Sequence, residues 1–304
     1  MDLFVSYAWT SPAHRQWVRL LCSSLHLLGY DVRVDQDVDY GNSLIGFMRT
    51  LDDARHVLLV VDENYVNRAD NVSSSGVAIE NEWIRHVFHQ HPANWTSVVF
   101  VDNPTFQLPA WLSNHNPLSF DFNSSASTDN FPGAEQLDDL WRWVEGLPRD
   151  KTNAAPVSTQ IARGARLERV DNLRDPGLRR NPAVEHEVDF VFGESVDSVF
   201  TLGQGDFEFP FQVSGCGFNS VYVYADRLHA VGLLRTPEEM AEPSDALLTA
   251  GRTVTPKVGQ GVLLLNRHGA LCTVRILEVQ REINDVHGYV PARVRFAYTI
   301  LLHR

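Results

Sequence analysis

Short apolar runs alternate with amphipathic segments in the first half of the sequence, and this alternation restricts the possible folds more than any other feature. Ser11 and Pro12 mark the start of the first amphipathic segment as a helix, and Gly29 marks its end. Strands that alternate with helices favour a parallel sheet covered by helices on both faces. Five runs predict the strands, at residues 3–7, 30–34, 56–61, 96–101 and 117–122.

Helical spacing of apolar residues predicts three further helices in this half. The second contains Leu44, Phe47, Met48 and Leu51, the third runs from about Ile79 to His89, and the fourth contains Leu137, Leu140, Trp141 and Val144. The polar residues from Asp62 onward predict a loop that leads into the third helix.

Glu80 lies at the predicted start of that third helix and is the strongest candidate for a functional residue. Ligands of open α/β sheets bind at the carboxyl edge of the strands, where a carboxylate can stabilise a developing positive charge. The helix dipole alone also favours a glutamate in the first turn, with no catalysis involved. Glu82 points roughly 200° away from Glu80 on the helix, and only Glu80 shares the apolar face of Ile84 and Val87.

Residues from Val188 onward form seven apolar runs separated by turn residues, which predict a small all-β sandwich or barrel. Asn266 to Gly269 is typical of a hairpin turn between two of these strands. Residues 149–186 lack a sustained apolar period, so they are predicted to link a first domain, 1–148, to a second, 187–304.

The net charge of -12 argues against general binding to a phosphate backbone, so nucleic acid is not an expected partner. Residues 151–186 carry an excess of basic side chains, which favours a linker that docks on acidic domains over a nucleic-acid arm. The three cysteines have no disulfide or zinc spacing, and a reducing cytoplasm is the expected compartment. No leader and no membrane span is expected from the apolar pattern.

Several motifs resemble those of a bacterial Toll/interleukin-1 receptor (TIR) domain across residues 1–148. The matching segments are DLFVSYAW, GYDVRVD, the acidic loop that ends in YGNS and resembles the family's BB loop, VLLVVDENYVNRADN, and GVAIE. The resemblance implies a flavodoxin-like fold with a five-stranded parallel sheet. It also implies self-association through TIR domains, in which the BB loop of one molecule completes the pocket of its neighbour.

In enzymatic TIR domains, a glutamate at the position of Glu80 is needed to break the bond between nicotinamide and ribose in NAD. The resemblance therefore implies an NAD glycohydrolase or ADP-ribosyl cyclase, with a role in bacterial antiphage defence. NAD is then the substrate, and no cofactor or metal is implied. The β-rich domain is expected to sense an unknown activating ligand or protein, or to mediate assembly.

The charge of NAD explains how one carboxylate could suffice. The nicotinamide ring is already positively charged and leaves as a neutral molecule, so no acid has to protonate it. The ribose becomes oxocarbenium-like as the bond stretches. A fixed anion that binds this ribose more strongly in the transition state increases the turnover rate.

Other candidates for binding NAD follow the first three predicted strands. Asp35 and Asp37 could accept ribose hydroxyls, and Trp83 lies on the helix of Glu80. Ser6, Tyr7, Ala8 and Trp9 form the first loop after a strand, where backbone amides and an aromatic surface could hold the dinucleotide. The residues that could close over the cleft are Tyr40, Gly41 and Phe47.

Two other functions remain compatible with the same residues. Many enzymatic relatives carry tryptophan or cysteine four residues before the glutamate, where this chain has Gly76. A TIR interaction module without catalysis, acting as an adaptor or a mimic of host signalling, is the first alternative. A nucleoside deoxyribosyltransferase-like enzyme is the second, although the BB-loop sequence fits it less well.

Overall fold

A parallel sheet organises the first part of the computed structural model. Its strands are β1 Leu3–Tyr7, β2 Val32–Val34, β3 His56–Val61, β4 Thr96–Phe100 and β5 Leu118–Asp121. They lie side by side in the order β2-β1-β3-β4-β5, with every neighbouring pair parallel. All residues of β1, β3 and β4 are buried, as expected for a parallel sheet covered on both faces. The five predicted strands and the parallel sheet are thus confirmed.

The structure describes most, but not all, of the chain. The described residues are 1–34, 51, 53–123, 136–149, 155–173, 176–243, 246–249, 251–285 and 288–302. Of the predicted second helix, Leu44, Phe47 and Met48 lie outside the described residues. Contacts divide the chain into two compact units, Met1–Glu168 and Arg169–Arg304.

Among the residues that the structure describes, five helices belong wholly or mainly to the first unit. They are α1 Pro12–Leu27, α2 Glu63–Asn71, α3 Gly76–Val87, α4 Leu137–Val144 and α5 Val157–Leu173. The predicted limits of α1 are confirmed, because Ser11 accepts a hydrogen bond from His14 N at 3.0 Å and Gly29 adopts a φ of 87° beyond its end. Within the described part of the chain, no helix combines the length and apolar character needed to cross a bilayer.

The predicted loop between Asp62 and Ile79 is wrong, because α2 occupies half of it. The segment is polar, but Asp62 caps the helix by accepting a hydrogen bond from Tyr65 N at 2.7 Å, and the Tyr65 side chain is fully buried. Ser75 caps α3 in the same way, so this helix starts at Gly76. Glu80 therefore lies one turn inside α3 and not at its start.

A hydrophobic core of the first unit forms around β3. The helix α3 contributes Ile84 and Val87 to this core, and Trp83 packs against it while partly exposed. Aromatic side chains contribute the largest buried volumes, and these are Phe4, Tyr65, Trp95 and Phe100. The apolar face predicted for the third helix is thus confirmed.

Gly76 offers a test of the local stability of α3. It is the first residue of the helix, it is exposed, and a Cβ placed on it would meet no atom within 4 Å. We expect Gly76→Ala to raise the free energy of unfolding by about 0.4–1 kcal/mol, because alanine restricts the unfolded chain more than glycine does. Urea unfolding followed by tryptophan fluorescence measures this change, since all seven tryptophans precede residue 144.

Gly146→Ala is the matched control for that substitution, because Gly146 follows α4 with a φ of 71°, which alanine adopts only with strain. It should lower the free energy of unfolding by about 1 kcal/mol. Destabilisation by Gly76→Ala would contradict the open space seen around the first turn of α3.

Antiparallel sheets make up the strand-rich second unit, as predicted. One sheet has the order β13-β10-β9-β8-β6, in which only β6 and β8 pair in parallel, and another has the order β12-β11-β14-β15-β18-β7. The strands are β6 Arg180–Asn181, β7 Glu185–Phe190, β8 Val199–Leu202, β9 Phe209–Gly215, β10 Val221–Tyr224, β11 Ala230–Leu234, β12 Leu248–Thr249, β13 Thr253–Val254, β14 Gly261–Leu265, β15 Leu271–Gln280, β16 Ile283–Asp285, β17 Gly288–Val290 and β18 Arg293–Leu301. A short helix, α6, spans Pro237–Ala241.

The two large sheets of this unit pack against each other through phenylalanines. The ring of Phe296 on β18 lies 4.8 Å from that of Phe211 on β9 and 6.0 Å from that of Phe200 on β8, measured between centroids. The predicted turn between β14 and β15 is confirmed, because Leu265 pairs with Leu271 across it. All seven predicted runs form strands.

The helix α5 lies within the predicted linker and docks on the first unit. Arg163 donates a hydrogen bond to Glu145 Oε2 at 2.5 Å and pairs with Asp138. Tyr30 donates to the other oxygen of Glu145 at 2.8 Å, and the Arg166 guanidinium lies 4.3 Å from the centroid of the Tyr30 ring. The boundary between the two units falls inside α5, after Glu168. The limits 149–186 for a linker stay a prediction.

Candidate functional site

Glu80 is buried against the carboxyl end of β1. Its exposed fraction is 6%, and Ser6 Oγ donates a hydrogen bond to its Oε2 at 2.5 Å. Glu82, two positions further along α3, is exposed. The predicted difference in orientation between these two glutamates is therefore confirmed.

Among the described residues, a hydrogen-bonded network joins Glu80 to the side chains of Ser6, Tyr65, Asn81 and Trp111. The hydroxyls of Ser6 and Tyr65 lie 3.1 Å apart. Asn81 Nδ2 donates to the Tyr65 hydroxyl at 2.8 Å, and Trp111 Nε1 donates to Asn81 Oδ1 at 2.8 Å. The network thus joins β1, α2, α3 and the segment between β4 and β5.

Tyr65 is held as a neutral phenol in this network. Its side chain is fully buried, and burial raises the pKa of Tyr65. The nearby Glu80 carboxylate raises that pKa further, while the hydrogen bonds of Ser6 and Asn81 oppose the increase. The Tyr65 hydroxyl therefore keeps its proton and can donate a hydrogen bond at neutral pH.

His14 lies at the same edge of the sheet, in the first turn of α1. It is 3% exposed, and neither ring nitrogen has a hydrogen-bond partner among the described residues. Burial lowers the pKa of His14, while the carboxylates of Asp62 and Asp102 oppose this decrease. Asp62 directly follows β3 and Asp102 comes two residues after β4, so the carboxyl ends of both strands bring acidic groups near this histidine.

The lowered pKa of His14 predicts a loss of stability in acid. The unfolded state binds a proton near pH 6.5 and the folded state only at lower pH, so this contribution is present above about pH 6.5 and is lost as the pH falls. We expect His14→Gln to reduce the difference in the free energy of unfolding between pH 7.5 and pH 5. Urea unfolding at both pH values measures it, and an unchanged difference would contradict the assignment.

The structure brings some of the predicted site residues together and separates others. Ser6 and Tyr7 are the last two residues of β1 and not part of the loop that the sequence predicts, and Ser6 donates a hydrogen bond to Glu80. Tyr7 and Ala8 are buried. Trp9 is 51% exposed, and the Arg15 guanidinium lies 5.6 Å from the centroid of its ring. Predicted residues that lie outside the described residues are Asp35, Asp37, Tyr40, Gly41 and Phe47.

The network contains two side chains that the sequence did not single out. Asn81 occupies the buried face of α3, where Val77, Glu80 and Ile84 form a pattern at helical spacing, so a polar residue at this position was a detectable signal. Trp111 has no such signal, because it lies 30 positions from Asn81 in a segment without regular structure. Tyr65 joins the network from α2, so it lies on a helix and not in the loop that the sequence predicts after β3.

Comparison with known proteins identifies the first unit. Residues 3–137 match a family model described as TIR domain. A prokaryotic SEFIR domain is 18% identical, covers 51% of this chain and 98% of its own, and has a TM-score of 0.37. The TIR domains of the activated Roq1 resistosome, which recognises the pathogen effector XopQ, are 16% identical, cover 55% of this chain and 96% of their own, and have a TM-score of 0.28. Among curated proteins, none matches this sequence. By its match to the family and by its parallel sheet, the segment of residues 3–137 is a TIR domain, and a strand-rich region follows it.

Proposed function

We propose that this protein cleaves NAD between nicotinamide and ribose, with Glu80 as the catalytic carboxylate. The observation that carries the proposal is the position of Glu80 in a TIR domain, on α3 and hydrogen-bonded to Ser6 near the carboxyl end of β1. This is the edge at which open α/β sheets bind their ligands. Trp9 follows the same strand and exposes half of its side chain there, which provides an aromatic surface for a ring of the dinucleotide.

The reaction requires charge stabilisation more than proton transfer. The bond from ribose C1′ to the nicotinamide nitrogen breaks, and its electron pair leaves with neutral nicotinamide. Glu80 stabilises the positive charge that develops on the ribose, an effect that is strong in a site with few water molecules. Water then bonds to C1′ and releases a proton, which gives ADP-ribose, whereas attack by an adenine nitrogen gives the cyclic product.

Assembly and regulation form the second part of the proposal. As in relatives with this activity, TIR domains of neighbouring molecules would associate and complete the pocket for NAD. The strand-rich region, residues 187–304, would respond to an activating ligand or protein. An antiphage role would follow from the depletion of NAD in an infected bacterium.

The test is direct measurement of NAD cleavage by the purified full chain. Nicotinamide and the ADP-ribose products are separated by chromatography over a range of protein concentrations, and light scattering reports the state of association in the same samples. We expect nicotinamide release with a specific activity that increases as the protein associates. Association without nicotinamide release at any concentration would overturn the proposal.

One observation favours a TIR interaction module without catalysis as the second candidate. Glu80 is only 6% exposed, and its Oε2 is bonded to Ser6, so the carboxylate also satisfies a buried hydroxyl inside the domain. An interaction module predicts self-association or partner binding that does not depend on NAD. The experiment above distinguishes the two candidates, because only the enzyme releases nicotinamide.

A further inference from the structure

The directions of the hydrogen bonds that join Glu80, Ser6, Tyr65, Asn81 and Trp111 follow from the chemistry of these side chains. The indole of Trp111 can only donate, so the Asn81 atom that faces it must be the carbonyl oxygen. The amide nitrogen of Asn81 then faces the Tyr65 hydroxyl at 2.8 Å and the Val77 carbonyl at 2.8 Å, and both accept from it. The orientation of the Asn81 amide is thus determined without ambiguity.

With Glu80 ionised, the directions of the two hydroxyl bonds follow as well. An ionised carboxylate only accepts, so Ser6 uses its single proton to donate to Glu80 Oε2 at 2.5 Å. Tyr65 accepts from Asn81, and its own proton points to the Ser6 oxygen at 3.1 Å. The hydrogen bonds therefore run in one direction. Trp111 donates to Asn81, Asn81 to Tyr65, Tyr65 to Ser6, and Ser6 to the carboxylate of Glu80.

We infer that this directional chain, the donor relay, positions the Glu80 carboxylate, and that Trp111 and Asn81 are positioning residues for it. Each bond in such a chain polarises the next, so aligned donors strengthen the last bond more than an isolated hydroxyl would. Ser6, Tyr65 and Asn81 are all buried, so water does not compete for these bonds. The relay thereby orients Oε2 towards β1.

A cycle of substitutions tests the relay through stability alone. Trp111→Phe removes the first donor and keeps an aromatic ring beside Phe88, and Ser6→Ala removes the last donor. If the two positions are independent, their effects on the equilibrium constant of unfolding multiply to within about twofold. We expect the double variant to deviate from that product by more than about threefold, because loss of the first donor weakens the last bond.

Trp143→Phe is the matched control for this cycle. It also loses an indole hydrogen bond, from Nε1 to Asn94 O at 2.9 Å, but it lies on α4 outside the relay. Combined with Ser6→Ala, its effects should multiply to within about twofold. If Ser6→Ala does not fold, Tyr65→Phe replaces it, since this variant loses only the hydroxyl from the middle of the relay.

Kinetics provide the second readout, which rests on the proposed cleavage of NAD. We expect Trp111→Phe to lower kcat by about tenfold with KM within about twofold of wild type, because a misoriented carboxylate weakens transition-state stabilisation. Trp143→Phe should change neither constant. A Trp111–Ser6 cycle whose effects simply multiply would overturn the relay whether or not NAD is cleaved. A wild-type protein that never releases nicotinamide would overturn the proposed function, while the stability cycle would still decide on the relay.

Discussion

Replacing Glu80 with glutamine is expected to lower the rate of nicotinamide release by about 10²–10³-fold, the range observed when one group that stabilises transition-state charge is removed. Glutamine has nearly the shape of glutamate but no charge, so it cannot stabilise the cationic ribose. Its side-chain carbonyl can still accept the hydrogen bond that Ser6 now donates to Oε2. The loss of rate should therefore occur in a folded protein, which the tryptophan fluorescence of the first unit would verify.

Glu82→Gln is the matched control, because it removes the same charge from the same helix at an exposed position. We expect its rate of nicotinamide release to remain within about twofold of wild type, because substitutions of exposed residues outside a site usually have small effects. Loss of release in Glu82→Gln together with full activity in Glu80→Gln would reverse the assignment. Equal activity of both variants and wild type would remove the carboxylate from the mechanism.

Among the substitutions that test the stability of the first unit, Arg163→Met should lower the free energy of unfolding the most. The side chains of Arg163 and Glu145 are only 11% and 8% exposed, so removing the guanidinium leaves a buried carboxylate without its cation. Such a loss costs about 3–5 kcal/mol for a fully buried pair. Because Tyr30 still donates to Glu145 and Asp138 is 42% exposed, we expect about 2–4 kcal/mol.

Urea unfolding followed by tryptophan fluorescence measures this change in the first unit. Arg169→Met is the control, since Arg169 is exposed on the same helix, α5. It should alter the free energy of unfolding by no more than about 0.5 kcal/mol. Equal effects of the two substitutions would mean that the ion pair of Arg163 with Glu145 does not hold α5 on the first unit.

Local sequence patterns predicted the elements whose buried or capping residues lie close together in the sequence. The short, valine-rich apolar run of β3 predicted a strand covered on both faces, and Ser11 and Gly29 marked the ends of α1. The helix α2 was missed because its residues are polar. A cap at Asp62 and one buried tyrosine, Tyr65, hold it in place, and neither produces an apolar period.

The same distinction applies to the candidate site. Helical periodicity alone indicated that Glu80 faces the interior, because residues three or four positions apart share a face and Glu80 has this spacing to Ile84. Glu82 lacks this spacing and was predicted to face solvent. The bond between Ser6 and Glu80 had no local signal, since 74 positions separate them. Trp111 likewise could not be connected to Asn81 from the sequence, because it comes from an irregular segment.

The sequence by itself determined the order of the strands along the chain, the match to a TIR domain and the helical phase of Glu80, because these depend on residues within a few turns of one another. Only the tertiary structure decided which side chains meet at Glu80. Ser6, Tyr65, Asn81 and Trp111 come from four separate elements, and their hydrogen bonds exist only once the sheet and helices have packed. Buried polar groups require partners, but any of several distant residues could supply them, and packing selects which ones do.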